Sequence, residues 1–287
     1  MTDDPFVTHR SLLFTVAYEM LGSAADAEDV VQEAWLRWDA ADRTEVRDAR
    51  AYLVRIVTRL SLNQLRTSAR RREEYIGEWL PEPVLTTPDI AEDLELADSL
   101  SIAMLTVLET LAPAERAVFV LREVFDTPYE EIAAAVEKTP ASVRQIAHRA
   151  RRHVAARRPR MAVDPGAQSV VVEKFLAAVT TGDIQALMEV LAPDVVAIAD
   201  GGGVAPASKK PIIGARRLAS LLVRYPKLRG FEVTATRING MAGARLTANG
   251  ATVVVSVVVA DGRITHIYGI ANPHKLGRMN ETVELRR

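Results

Sequence analysis

The sequence has no cysteine, and aromatic residues make up only 5% of its 287 positions. Without thiols there are no disulfides, no thiolate zinc site and no cysteine nucleophile. Long apolar runs are missing too. The longest, Ala251 to Ala260, covers ten residues and is interrupted by Thr252 and Ser256, well short of the ~20 that a membrane-spanning helix needs. The opening MTDDPF is acidic and lacks a basic segment followed by an apolar one, so no signal peptide is expected and the cytoplasm is the expected location. The five histidines (His9, His148, His153, His266, His274) show no ligand spacing, and neither a metal nor a cofactor is expected. What is present is 48% apolar residues, enough for packed cores, and a length that suggests two or three domains.

The net charge of −1 conceals a division. Residues 1–160 carry 21 Lys and Arg against 27 Asp and Glu, a net −6, and residues 161–287 carry 15 against 10, a net +5. Residues 73–98 hold nine acids and no base; residues 141–160 hold seven arginines and no acid. A second basic cluster is Arg66, Arg70, Arg71 and Arg72. Two basic clusters flanking an acidic stretch suggest a polyanion bound at two places, although either cluster alone is equally consistent with a solvated helix face.

Apolar periodicity predicts helices over 11–21, 25–40 and 48–72, with Gly22 closing the first. On the third, Tyr52, Leu53, Ile56, Val57, Leu60 and Leu65 form the apolar stripe, and Arg55, Arg59, Asn63 and Arg66 lie off it. Prolines 81, 83 and 88 break the pattern, giving a linker that contains WLPEP at Trp79–Pro83. A helix is expected from about 90 to 111, then a helix-turn-helix over 113–158. Thr139 followed by Pro140 is a helix start. The helix it opens buries Val143, Ile146, Ala147, Ala150 and Val154 and turns Ser142, Arg144, Gln145, His148, Arg149 and Arg152 outward, as major-groove reading requires. After a linker at 159–167, helices at 170–179, 183–191 and 214–225 accompany strands at 194–199, 231–238, 243–248, 252–260 and 263–270, an α+β pattern. Strand alternation puts Ile264, His266, Tyr268 and Ile270 on one face, where a His–Tyr pair is a conceivable general acid and base.

Three strings in this order carry a resemblance: DAEDVVQEAWLRW at 26–38, ARAYLVRIVTRLSLNQLRTSARRRE at 49–73, and LAPAERAVFVLREVFDTPYEEIAAAVEKTPASVRQIAHRARRHV at 111–154. They resemble the extracytoplasmic-function sigma factors of bacterial RNA polymerase. WLPEP, DGGG at Asp200–Gly203 and NPHKL at Asn272–Leu276 are similar to the motifs of the subgroup with a fused SnoaL-like domain. The resemblance implies a multidomain protein: two all-α sigma domains, the second a helix-turn-helix, followed by a cone-shaped α+β domain like nuclear transport factor 2. The implied boundaries are 1–75, an acidic linker 76–98, 99–158, a linker 159–167, 168–280 and a tail 281–287.

By that resemblance, Asp26, Asp29, Glu33 and Trp38 bind core RNA polymerase, on the clamp helices of β′, with the β subunit a further partner. Arg55, Arg59, Asn63, Arg66, Arg70 and Arg71 bind the minus-ten element of promoter DNA; Ser142, Arg144, Gln145, His148, Arg149 and Arg152 bind the minus-thirty-five element. Trp79, Pro81, Pro83, Asp200, Gly201, Gly202, Gly203, Asn272, Pro273 and Lys275 form an interdomain contact through which the fused domain regulates the rest. A monomer without a membrane partner, a separate anti-sigma factor or enzymatic activity is expected. The alternatives are a ligand-sensing helix-turn-helix regulator and a DNA-tethered SnoaL-like isomerase or cyclase. Three positions depart from the family's pattern: Glu137 replaces the usual glycine in the helix-turn-helix turn, Val204 replaces the basic residue expected after DGGG, and His274 replaces the usual aspartate of the last motif.

Overall fold

A computed structural model describes residues 4–87, 93–159 and 165–287; of residues 45, 68–73, 94 and 165–167 only the backbone is described. The chain begins with α1 (Pro5–Leu21), α2 (Ala24–Asp39) and α3 (Ala49–Glu73), followed by β1 (Leu85–Thr86), α4 (Leu94–Leu100) and α5 (Ile102–Leu108). Next come α6 (Pro113–Phe119), α7 (Tyr129–Val136) and α8 (Pro140–Arg157), then α9 (Pro165–Thr181) and α10 (Ile184–Val190). The last part holds β2 (Leu191–Asp200), β3 (Ile212–Ile213), α11 (Ala215–Leu222), β4 (Glu232–Ile238), β5 (Met241–Ala248), β6 (Ala251–Ala260), β7 (Arg263–Ile270) and β8 (Thr282–Val283).

The chain divides into two compact units. Unit one is made from the described residues to Glu73, from 104–158 and from 284–287; unit two is made from those of 74–103 and 159–283. The described residues of the expected linker at 76–98 belong to the sheet unit. The tail expected at 281–287 divides as well, with β8 in unit two and Glu284–Arg287 in unit one, where Leu285 is buried and Arg286 N donates to Thr15 Oγ1.

Unit one is helical. Helix α1 starts earlier than its apolar periodicity predicts, because Asp4 accepts from Phe6 N and Pro5 occupies the first turn. It ends at Gly22 in the left-handed region, φ 68°. On α3 the buried side is Leu53, Val54, Val57, Thr58, Ser61, Leu62 and Leu65, whereas Tyr52, Ile56 and Leu60 are only half-buried. The stripe is rotated from the expected one because two small hydroxyls pack inward, Thr58 satisfying itself on Val54 O. The expected 115–125 helix is α6 followed by a π-helical turn, Val120–Val124. The expected 90–111 helix is broken at Ser101, ψ 145°; residues 90–92 of it lie outside the described residues.

Unit two is built on one eight-stranded sheet of order β3-β2-β7-β6-β5-β4-β1-β8, antiparallel except for the β2–β7 and β1–β8 pairs. Helices α9, α10 and α11 cover one face, around Phe175, Leu187, Leu218, Leu246, Val257 and Ile264. The other face is covered by Leu80, Ile102, Ala103, Leu276 and Met279, packed on Ile238, Val254, Val258, Tyr268 and Ile270. A bulge in β7 pairs Val258 with His266 and Val259 with Ile264, leaving Thr265 as the extra residue. The bulge corrects the expected alternation: Ile264 joins the helix-covered core, while Tyr268 and Ile270 belong to the opposite face.

Candidate functional site

In unit one, the outward side of α2 carries Asp29, Gln32, Glu33, Leu36 and Arg37, all exposed. Asp26 is half-buried and accepts from Gln64 Nε2. Trp38 does not lie on this surface. It is buried, its Nε1 donates to Asp4 Oδ1 at 2.9 Å, and the Arg43 guanidinium lies 5.0 Å from its ring centre. Its indole locks α2 to the start of α1, so it is a packing residue. Leu36, 57% exposed, is the large apolar side chain on this surface instead. Sequence reasoning misses it because it falls outside the buried stripe.

Arg55, Arg59, Asn63 and Arg66 recur at intervals of four, four and three along α3, which puts them on one ridge. Arg55 lies over the Tyr52 ring, and Arg66 Nη1 donates to Asn63 Oδ1. The side chains of Arg70 and Arg71 lie outside the described residues. Arg59 Nη2 donates to Ala134 O at 3.0 Å and pairs with Glu137 Oε1 at 3.3 Å, so this ridge is engaged by the helix-turn-helix. Glu137 closes α7 with φ 57° and ψ 51°, so the left-handed turn that usually holds glycine is kept with a glutamate in it.

Helix α8 is capped by Thr139, whose Oγ1 accepts from Ser142 N. Arg144, Gln145, His148, Arg149 and Arg152 are exposed along it, with Ser142 half-buried. Arg144 pairs with Glu130 at 3.2 Å, and Arg149 and Glu115 approach to 3.6 Å. Beneath, the Arg116 side chain is 1% exposed. Its Nη1 meets Glu109 Oε1 at 2.7 Å, and its Nε donates to Glu19 O at 3.0 Å. A Cβ on Gly22 would lie 2.6 Å from that Glu109 oxygen. Arg116 thereby fastens α6 to the end of α1, a role that nothing in its local sequence signals.

The second constellation is in unit two. Asp200, fully buried at the end of β2, accepts from Tyr75 Oη (2.5 Å), Leu80 N (2.9 Å), Gly202 N (3.0 Å) and Lys275 Nζ (2.8 Å). Lys275 Nζ also donates to Leu80 O and sits 3.2 Å from the centre of the Trp79 ring. Asn272 Nδ2 donates to Tyr75 Oη at 2.7 Å. Burial, and then the bond to the Asp200 carboxylate, push the Tyr75 hydroxyl upward, keeping it a donor. A Cβ at Gly202, φ 61°, would strike the Asn272 side chain. Pro81 and Pro83 are buried, whereas Pro273 is exposed. Val204 and His274, two of the departures from the family's pattern, are both exposed and outside the Asp200–Lys275 pair. Sequence reasoning also misses a third anchor: buried Asn239, φ 54°, accepts from Val84 N at 3.1 Å and donates to Leu100 O at 2.8 Å. An Asn-Gly turn between β4 and β5 was the available signal.

Two family descriptions match: Sigma-70 region 2 over residues 6–71, and Sigma-70, region 4 over residues 101–154. The ECF RNA polymerase sigma factor SigJ of Mycobacterium tuberculosis is 39% identical, the match covering 94% of this chain and 91% of that protein. The chain belongs to the extracytoplasmic-function sigma factors. Another M. tuberculosis protein, described as a probable ECF RNA polymerase sigma factor SigI, is 33% identical over 93% of this chain and 92% of its own. The crystal structure of M. tuberculosis SigJ matches with a TM-score of 0.78 and 34% identity, covering 96% of this chain and 98% of that one. In this sigma factor, unit one carries the regions for promoter recognition and transcription initiation, and unit two carries the SnoaL-like domain. No helix among the described residues is long and apolar enough to cross a membrane.

The His266–Tyr268 pair stacks with ring centres 6.2 Å apart. Burial lowers the His266 pKa against a weaker pull from Asp194 and pushes Tyr268 up to about 12. Tyr268 packs with Leu80 on the face away from α9–α11.

Proposed function

We propose that this sigma factor is held closed by its own fold and that the SnoaL-like domain sets how readily it opens. The carrying observation is that the stretch joining region 2 to region 4 is built into the SnoaL-like unit through Asp200 and Lys275. In the active form, Asp29, Glu33 and Leu36 on α2 dock on the β′ clamp helices of core polymerase, with β as a further contact. The α3 ridge with Arg70 and Arg71 takes the minus-ten element, and Arg144, Gln145, His148, Arg149 and Arg152 take the minus-thirty-five element.

Those elements are named for positions about 25 base pairs apart, roughly 85 Å of B-form duplex. In the closed unit, Arg59 of the first surface is bonded to the turn that precedes the second, so both cannot read DNA until unit one separates. The reading takes the chain as a cytoplasmic monomer without a separate anti-sigma factor, its own domain doing that work.

The test is a fluorescence distance between single cysteines placed at Arg66 and Arg152 in the full chain, which has no native thiol. A short distance in the free protein that lengthens with core polymerase supports the reading. A long distance in the free protein refutes it.

A further inference from the structure

Between Asp200 and Glu232 the sequence has no acid and seven bases. Lys209 and Lys210 precede β3; Arg216, Arg217, Arg224, Lys227 and Arg229 follow on and after α11. All seven are exposed, and none has a salt-bridge partner among the described residues. They contrast with the cations of α8, where Arg144, Arg149 and Arg151 each face a glutamate.

The local fold groups these charges. Helix α11 continues beyond Leu222 through Val223 and Arg224, both with helical backbone, into a 3-10 turn at Tyr225–Lys227. At about 100° per residue on the helix and about 120° in the 3-10 turn, Arg216, Arg217, Ser220, Leu221, Arg224 and Lys227 fall within one arc of about 140°. The opposite side, with Ala215, Leu218 and Ala219, is buried against the sheet. The ridge from 216 to 227 runs for roughly 16 Å at 1.5 Å per residue, long enough to meet several phosphates of one strand.

We infer that this ridge binds the phosphate backbone of promoter DNA, without reading bases. Unpaired exposed cations on a rigid ridge are what counterion-releasing phosphate contacts need. Covalent linkage to a DNA-reading helix raises the local concentration of duplex to the millimolar range, so a weak patch is occupied. A lipid surface is the other polyanion this ridge could meet. The apolar side chains beside the ridge are 39% exposed at Leu221 and 37% at Leu228, and the more open Ile213, at 62%, lies off the ridge on β3, too little to insert together among acyl chains. The inference rests on the sigma-factor reading for its source of DNA.

The experiment measures holoenzyme affinity for a promoter duplex and a scrambled duplex across a salt series. It compares the wild-type chain with the combined variant Arg216→Gln, Arg217→Gln, Arg224→Gln, Lys227→Gln. The expected result is a plot of log K against log salt shallower by about 2 to 4, at ~0.9 for each phosphate that the variant no longer neutralises. Affinity at 0.15 M salt should fall by about ten-fold or more, equally on both duplexes. Restoring charge with Arg216→Lys, Arg217→Lys and Arg224→Lys, and Lys227 left native, should recover most of the slope. An unchanged slope and affinity overturns the inference. So does a variant that keeps DNA affinity and loses only its retention on phosphatidylserine vesicles. Loss of promoter discrimination is the signature of a failing α8 reading instead, which the Gln variant leaves untouched.

Discussion

The pair that grips the connecting stretch in unit two and the pair that joins α3 to the helix-turn-helix in unit one are built in opposite ways. In unit two the carboxylate and ammonium of the Asp200–Lys275 pair are 0% and 8% exposed and every neighbouring donor is fixed. In unit one the pair between α3 and the helix-turn-helix, Arg59 with Glu137, is 45% and 75% exposed. Exposed pairs contribute about 0–1 kcal/mol and weaken with salt, whereas removing one partner of a buried pair costs about 3–5 kcal/mol. The exposed contact between the α3 ridge and the helix-turn-helix is therefore easy to release, whereas the grip on the connecting stretch and the buried Arg116 contact between α6 and α1 are not. In the proposed opening, the Arg59 contact is the first to yield, Arg116 the later one, and the connecting stretch stays folded on the sheet.

The largest effect should come from Lys275→Met, which leaves Asp200 charged and buried. Unit two should lose about 3–5 kcal/mol of unfolding free energy in denaturant melts, and adding Asp200→Asn should recover much of it. If Lys275→Met melts like the wild type, the buried pair is no anchor and the contrast with unit one collapses. Next is Arg116→Met, which strands Glu109 within unit one. Because that carboxylate is 12% exposed, the loss should lie near the lower limit, about 3 kcal/mol, in the melt of unit one alone.

Glu137→Gly sharpens the comparison from the weak side. It removes the Arg59 pair and relieves a left-handed residue, two effects of about 1 kcal/mol each and opposite sign. Stability should stay within about 1 kcal/mol of wild type while the Arg66–Arg152 distance lengthens in the free protein. A marked loss of stability with no change in distance contradicts the role of the Arg59–Glu137 pair in holding the two surfaces together. The smallest effect is one of pH. Burial lowers the folded pKa of His266, so the unfolded chain takes up the proton first. The stability that this provides is complete above about pH 6.5 and is lost as pH falls. The melt of unit two should therefore decline less between pH 7 and 5 in His266→Gln than in the wild type.

Where each side chain obeys a local rule, the sequence was readable. Thr139-Pro140 marked the start of α8, Gly22 the end of α1, and the residues turned outward on α8 follow from its buried stripe. Long-range geometry was not readable in the same way. Trp38 is a docking residue by family resemblance alone, and its indole is claimed by Asp4, 34 positions away. The prolines at 81 and 83 forbid a helix and so mark a linker, but they do not say that the extended backbone after them pairs with a strand, as Leu85 does with Ile238. The bulge at Thr265 breaks a period-two rule that Arg263–Ile270 otherwise follows, and one inserted residue is enough to move Ile264 to the other face.

The chain passes between the two units at residues 73–74, 103–104, 158–159 and 283–284, and this interleaving governs how the molecule responds to being cut. A protease that severs the backbone at 159 does not separate a sigma fragment from a regulatory one. The first fragment still contributes Tyr75, Leu80 and β1 to the sheet unit, and the second still supplies Leu285 beneath α1. The nicked halves should copurify and refold only as a mixture of both. Truncation after 160, by contrast, strips Leu80 of the surface that buries it, so such a fragment reports on an exposed apolar segment as well as on a missing regulator.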